Sequence, residues 1–136
     1  MAFVANASHA APGPPKPWAT MKKPERKKYM EDVVLPKMKV LLREFYDQRF
    51  GVVKCVTCHG AGVKNETYKM PNPKLPQLPT DDAGWADLRK HQGDIVRFME
   101  TKVKPTMAAL IGEQPSGPGV KHGFDCTECH TRKKKK

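Results

Sequence analysis

Apolar residues in this chain recur at helical spacing along several stretches and alternate at strand spacing in none, a pattern that predicts an all-α, loop-rich fold. After Pro24, a residue suited to the first turn of a helix, Tyr29, Met30, Val33 and Val34 mark a short amphipathic segment. Pro36 has no N–H and crowds the preceding turn, so it kinks or restarts this helix. Met38, Leu41, Leu42, Phe45 and Tyr46 then follow at i, i+3, i+4, i+7 and i+8, and Gly51 offers a left-handed stop. The proline-rich segment 70–79 cannot be a helix interior and reads as an extended loop over something apolar. Asp81 or Asp82 can cap the next helix, whose Trp85, Leu88, Gln92, Ile95, Val96, Met99 and Val103 share roughly one face. Pro105 opens a short helix with Met107, Leu110 and Ile111 on one side, closed by Gly112, and residues 113–123 form a Gly- and Pro-rich loop. The expected organisation is a flexible Pro-rich arm over 1–23, one packed domain over 24–131 and a solvated basic tail over 132–136.

Composition changes this picture in one respect. A chain of 136 residues has room for a single domain, yet only 38% of it is hydrophobic and 7% aromatic. The core is thin, so an ordered molecule needs something besides its own side chains at its centre. A mean hydropathy of −0.66, with no apolar run near the roughly 20 residues a bilayer requires, excludes a spanning helix.

The four cysteines name the filler. They fall in two identical frames, Cys55-Val56-Thr57-Cys58-His59 and Cys126-Thr127-Glu128-Cys129-His130. Each is the C-x-x-C-H attachment signature of c-type haem. On one helical turn, positions i and i+3 face the same way, so two thiols can meet one edge of a porphyrin while the adjacent imidazole reaches its iron. A four-cysteine zinc site is the main alternative, but half the chain separates its two arms. A redox disulfide lacks the strand pattern that accompanies it. Two covalent haem c groups are therefore expected, attached through Cys55, Cys58, Cys126 and Cys129, with His59 and His130 on the irons. Haem c is attached outside the bacterial cytoplasm, and Ala2–Ala10, with small residues before Ala11-Pro12, looks like the end of a signal peptide, so a periplasmic protein is expected.

A short repeat bears on the sixth ligands. Leu35-Pro36-Lys37-Met38 and Lys104-Pro105-Thr106-Met107 are each Pro-x-Met followed by an apolar run, and each precedes a C-x-x-C-H. A thioether next to a haem face is a suitable soft ligand for iron. Met99, Met70 in Met70-Pro71-Asn72-Pro73, and a bis-His arrangement through His91 and His122 compete for the same places. With Met on a helix, a tight turn and then C-x-x-C-H, twice over, residues 31–130 resemble the multihaem cytochrome subunit of photosynthetic reaction centres and its smaller relatives. Phe50-Gly51-Val52-Val53-Lys54 before the first motif is the closest local match. The resemblance implies a small dihaem cytochrome in which Met38 pairs with His59 and Met107 with His130. The chain has two haem motifs where the reaction-centre subunit has four, and no spare cysteine for a lipid anchor, so neither a reaction-centre partner nor a membrane tether is implied.

Two six-coordinate haems in one small domain make an electron carrier rather than an enzyme, because electrons pass through haem edges without bond making at iron. The alternative, a dihaem peroxidase or nitrogen-oxide reductase, needs an open iron site. The 25 Lys and Arg against 14 Asp and Glu give a formal charge of +11. In a haem protein this field steers acidic redox partners, or anionic lipid head groups for peripheral contact, and the haem motifs oppose reading it as a nucleic-acid surface.

Overall fold

A computed structural model describes residues 13–50 and 52–134, without the side chains of 46–50, so Gly51, the leader-like stretch and the last two lysines lie outside the described residues. The chain is mostly helical. Among the described residues there is no strand, only the isolated bridges Leu78–Arg132 and Pro115–Phe124. The helices are α1 (Lys23–Tyr29), α2 (Leu35–Phe50), α3 (Cys55–His59), α4 (Asp82–Phe98) and α5 (Lys104–Leu110).

Pro36, expected to kink or restart its helix, and Pro105, expected to open one, are accommodated by the same device. Tyr29 runs into a π turn over Met30–Val34 before α2, and Phe98 into a π turn over Met99–Val103 before α5. The Leu35 N–H reaches the Met30 carbonyl and the Lys104 N–H reaches that of Met99, each five residues back. The wider turn accommodates a proline one position later, where an α-helix would have driven the ring into a carbonyl. The repeat is therefore longer than Pro-x-Met: Tyr29-Met30-Glu31 corresponds to Phe98-Met99-Glu100, and Leu41-Leu42 to Leu110-Ile111.

The two copies pack reciprocally, α2 against the second π turn and α5 against the first. Tyr29, Val34, Met38, Leu42, Val53, Phe98 and Leu110 form the main core, with Phe45 stacked on Phe98 at 4.2 Å between ring centroids. The Tyr29 hydroxyl crosses between copies to donate to the Leu110 carbonyl. A smaller cluster of Ala108, Ile111 and Phe124 lies against Met30, Met107 and Cys129.

Two expectations need correcting. The described part of the arm packs on the domain: Pro14 lies against Gly112, Lys16 pairs with Glu25 at 2.8 Å, Trp18–Thr20 forms a 3₁₀ turn, Arg26 donates to the Trp18 carbonyl and covers its ring, and Met21 is buried in the core. An aromatic and a thioether supply enough apolar area to hold a segment whose prolines hide any periodicity. The face drawn through Gln92 is also broken. Gln92 leaves helical geometry (φ −137°, ψ 40°) and is exposed, so half-buried Trp85 and Leu88 are set apart from buried Ile95, Val96 and Phe98. The Gly93 beside it lowers the resistance to a kink.

Other boundaries follow the chemistry expected of them. The Asp81 carboxylate caps α4 by accepting from the Gly84 N–H at 2.7 Å. After α5, Gly112 is left-handed (φ +78°), while Glu113 donates to the Ala108 carbonyl and Gly112 to that of Ala109, the paired bonds of a Schellman stop. No helix among the described residues is long and apolar enough to cross a membrane.

Candidate functional site

The first cysteine motif is helix α3. The Thr57 hydroxyl accepts from the Lys54 N–H at 2.9 Å, which starts the turn and aligns Cys55 with Cys58. The turn stops at Gly60, which has a φ of +56° that side-chain-bearing residues rarely adopt. His59 packs edge-on against Tyr68, 5.6 Å between centroids, and its Nδ1 is buried without a hydrogen-bond partner. Burial holds this imidazole below the ordinary histidine range, against an opposing pull from the Tyr68 backbone. Glu66 and Tyr68 both have positive φ, +60° and +49°, so the loop that brings Tyr68 to His59 is strained.

The second motif is a 3₁₀ turn over Cys126–Glu128 and owes its shape to its surroundings. Asp125 precedes it. Burial pushes the Asp125 carboxyl up, but the Cys126 backbone N–H, the Ser116 and Thr127 hydroxyls and nearby Lys104 outweigh that and leave it below the usual carboxylate range. Ser116 Oγ donates to Asp125 at 2.9 Å, and Lys104 Nζ donates to both Ser116 oxygens at 3.1 Å, tying the start of α5 to the motif. His130 Nδ1 lies 2.7 Å from the Pro76 carbonyl. A carbonyl only accepts, so Nδ1 carries the proton and Nε2 is left as the donor atom, the arrangement by which an outer hydrogen bond orients a ligating histidine.

The proline-rich segment serves both motifs. Asn72 Nδ2 donates to the Cys58 carbonyl at 2.9 Å, and the Asn72 backbone N–H donates to the Cys129 carbonyl at 2.9 Å. Leu78 donates to the Thr131 carbonyl and accepts from the Lys133 N–H, which pins the start of the basic tail. The two motifs, far apart in sequence, thus lie a single residue apart in space. All four thiols are free and half-buried. Burial raises Cys58, Cys126 and Cys129, the last to about 12 with Cys58 adding to the effect, so these three are thiols rather than thiolates at neutral pH.

The sulfur candidates are placed unequally. Met38 is buried in the main core together with Val53, two residues before Cys55. Met107 is half-buried and packs both against the main core and against the cluster that includes Phe124 and Cys129. Met30, read from the sequence only as part of an amphipathic segment, also packs against both clusters, and its counterpart in the repeat is Met99. Met70 and Met99 are half-buried, while His91 and His122 are exposed. His91 Nδ1 is taken up by its own helix at the Asp87 carbonyl, 2.9 Å away.

The residues present fit the attachment of haem c. Among the described residues no three His, Cys, Asp or Glu side chains converge to hold a metal. The donor set is instead two unpaired thiols and one imidazole per turn, with an orphaned buried nitrogen at His59 and a correctly protonated, oriented ring at His130. Asn72 and Tyr68 had no sequence signal of their own, whereas Met30 could have been found by extending the repeat toward its N-terminal side. Comparison of the chain with protein-family models, with curated proteins and with solved structures finds no match.

Proposed function

We propose that this chain is a periplasmic electron-transfer protein carrying two covalently attached c-type haems, of the kind its sequence resembles. The observation that carries the reading is the pair of C-x-x-C-H turns held side by side through Asn72 with all their thiols unpaired. Each haem would supply an iron that alternates between the ferrous and ferric states. Cys55 and Cys58 hold the first and Cys126 and Cys129 the second. Their thiols would form thioether bonds to the vinyl groups, and His59 and His130 would each offer an imidazole nitrogen to an iron. Met38 and Met107 supply the thioethers, a reading supported by the burial of Met38 in the cluster that holds Val53 and by the packing of Met107 against the cluster that Cys129 also joins, although Met107 touches the main core as well. Methionine favours reduced iron and raises the potential relative to a second histidine.

In a host that matures haem c, denaturing mass spectrometry should find two porphyrin adducts per chain, and replacing Cys55 and Cys58 by Ala should remove one. No adduct, or retained zinc, would overturn the reading. The formal +11 charge, reduced by the haem propionates, supports acidic redox partners or anionic lipid head groups. Electron exchange with an acidic carrier should accordingly slow severalfold between low and physiological ionic strength, measured by stopped flow, and a flat response would remove this role for the charge.

A further inference from the structure

The two axial histidines are held by different means, and the difference turns on Asn72. His130 is oriented at its ring by the Pro76 carbonyl. His59 has no such bond at Nδ1. The peptide that leads into it is instead held from behind by the Asn72 side chain at the Cys58 carbonyl. Asn72 is the one buried residue with an amide or charged side chain among the described residues, 5% exposed, and its capacity is well used: Nδ2 to Cys58, Oδ1 from the Lys74 N–H at 3.0 Å, backbone N–H to Cys129. A buried amide is retained only where its bonds are made. The approach depends on Gly60, where a Cβ would stand 2.8 Å from Asn72 Nδ2.

Resting on the dihaem reading, we infer that Asn72 is a positioning residue that locks the two haem-attachment turns together, and that its side chain sets the potential of the His59 haem alone. Its bond to the second motif is made by the backbone and survives any replacement other than proline. Its bond to the first is made by the side-chain amide. Donation to the Cys58 carbonyl draws electron density from the peptide joined to His59 and fixes the plane from which the imidazole projects. Loss of that donor therefore lowers the potential of the first haem and leaves the second in place.

The test compares the holoprotein with Asn72→Ala and with Asn72→Asp. The aspartate keeps the size and the acceptor for Lys74 but turns an oxygen toward the Cys58 carbonyl. Mass spectrometry gives the haem count, circular dichroism the fold, and potentiometry the two waves, the first assigned by its absence from the Cys55→Ala, Cys58→Ala protein. Both variants should keep two haems, with the reduction equilibrium of the His59 haem shifted down about fivefold, the scale of one hydrogen bond, and the His130 wave unmoved. Should the alanine variant fail to fold, the isosteric aspartate carries the test. Equal movement of both waves, or of neither, in a folded dihaem variant overturns the inference alone. A wild-type chain without haem overturns the dihaem reading, and the inference with it.

Discussion

Asp125 gives the second motif a pH dependence whose sign can be worked out. Its carboxyl lies below the ordinary range in the folded chain despite burial, because the bonds from Cys126, Ser116 and Thr127 and the charge of Lys104 favour the ionised form. A group with a depressed folded value contributes stability that is present above its unfolded value and lost as pH falls through the folded one. Urea midpoints should therefore decline below about pH 4, and Asp125→Asn should flatten that decline while lowering the midpoint at neutral pH. Ser116→Ala, which leaves one carboxylate oxygen with fewer donors, should cost about 1 kcal/mol in the same assay. The aspartate was not legible as a structural residue in the sequence. Neither were Asn72 and Tyr68, because a lone polar or aromatic residue in a loop has no spacing to give it away and acquires meaning only when a distant segment returns to it. The cysteines and histidines were legible because their spacing is local, with each motif closing within one turn.

At the scale of the element, the π turns explain why two prolines can stand inside long helical stretches without breaking them. Replacing Pro36 or Pro105 by Ala restores an N–H and removes the steric reason for the wider turn, so each helix is free to tighten by one residue. Tightening would rotate everything beyond by about 100° and pull Met38 or Met107 off its packing face. Each single variant should lose about 1 kcal/mol or more in urea unfolding. The two losses should not add, because each π turn packs against the helix launched by the other. The longer helices were readable from apolar spacing, and the Asp81 cap, the Gly112 stop and the Pro-x-Met repeat from residue type, whereas the side-chain bonds that start α1 and α3 were not. The π turns were not, since a search at 3.6 residues per turn absorbs one extra residue as noise. The same search drew a continuous face through Gln92, where the backbone turns aside.

At the scale of the whole molecule, the two copies bury one another: Phe45 is stacked on Phe98, and the Tyr29 hydroxyl is bonded to the Leu110 carbonyl. Residues 70–79, N-terminal to α4, close the arrangement by binding the backbone of 129–133. Each half thus covers part of the interior of the other, and the two are joined at an exposed bend around Thr80. Cutting there yields pieces 1–80 and 81–136, each with one C-x-x-C-H. Each alone should show little cooperative melting, followed by far-ultraviolet circular dichroism. Mixed one to one they should reassemble, and their melting temperature should climb with total concentration, as the covalent chain's does not. If the proposed haems are present, a molecule divided in this way would let each be attached or isotopically labelled in its own piece before the two are brought together.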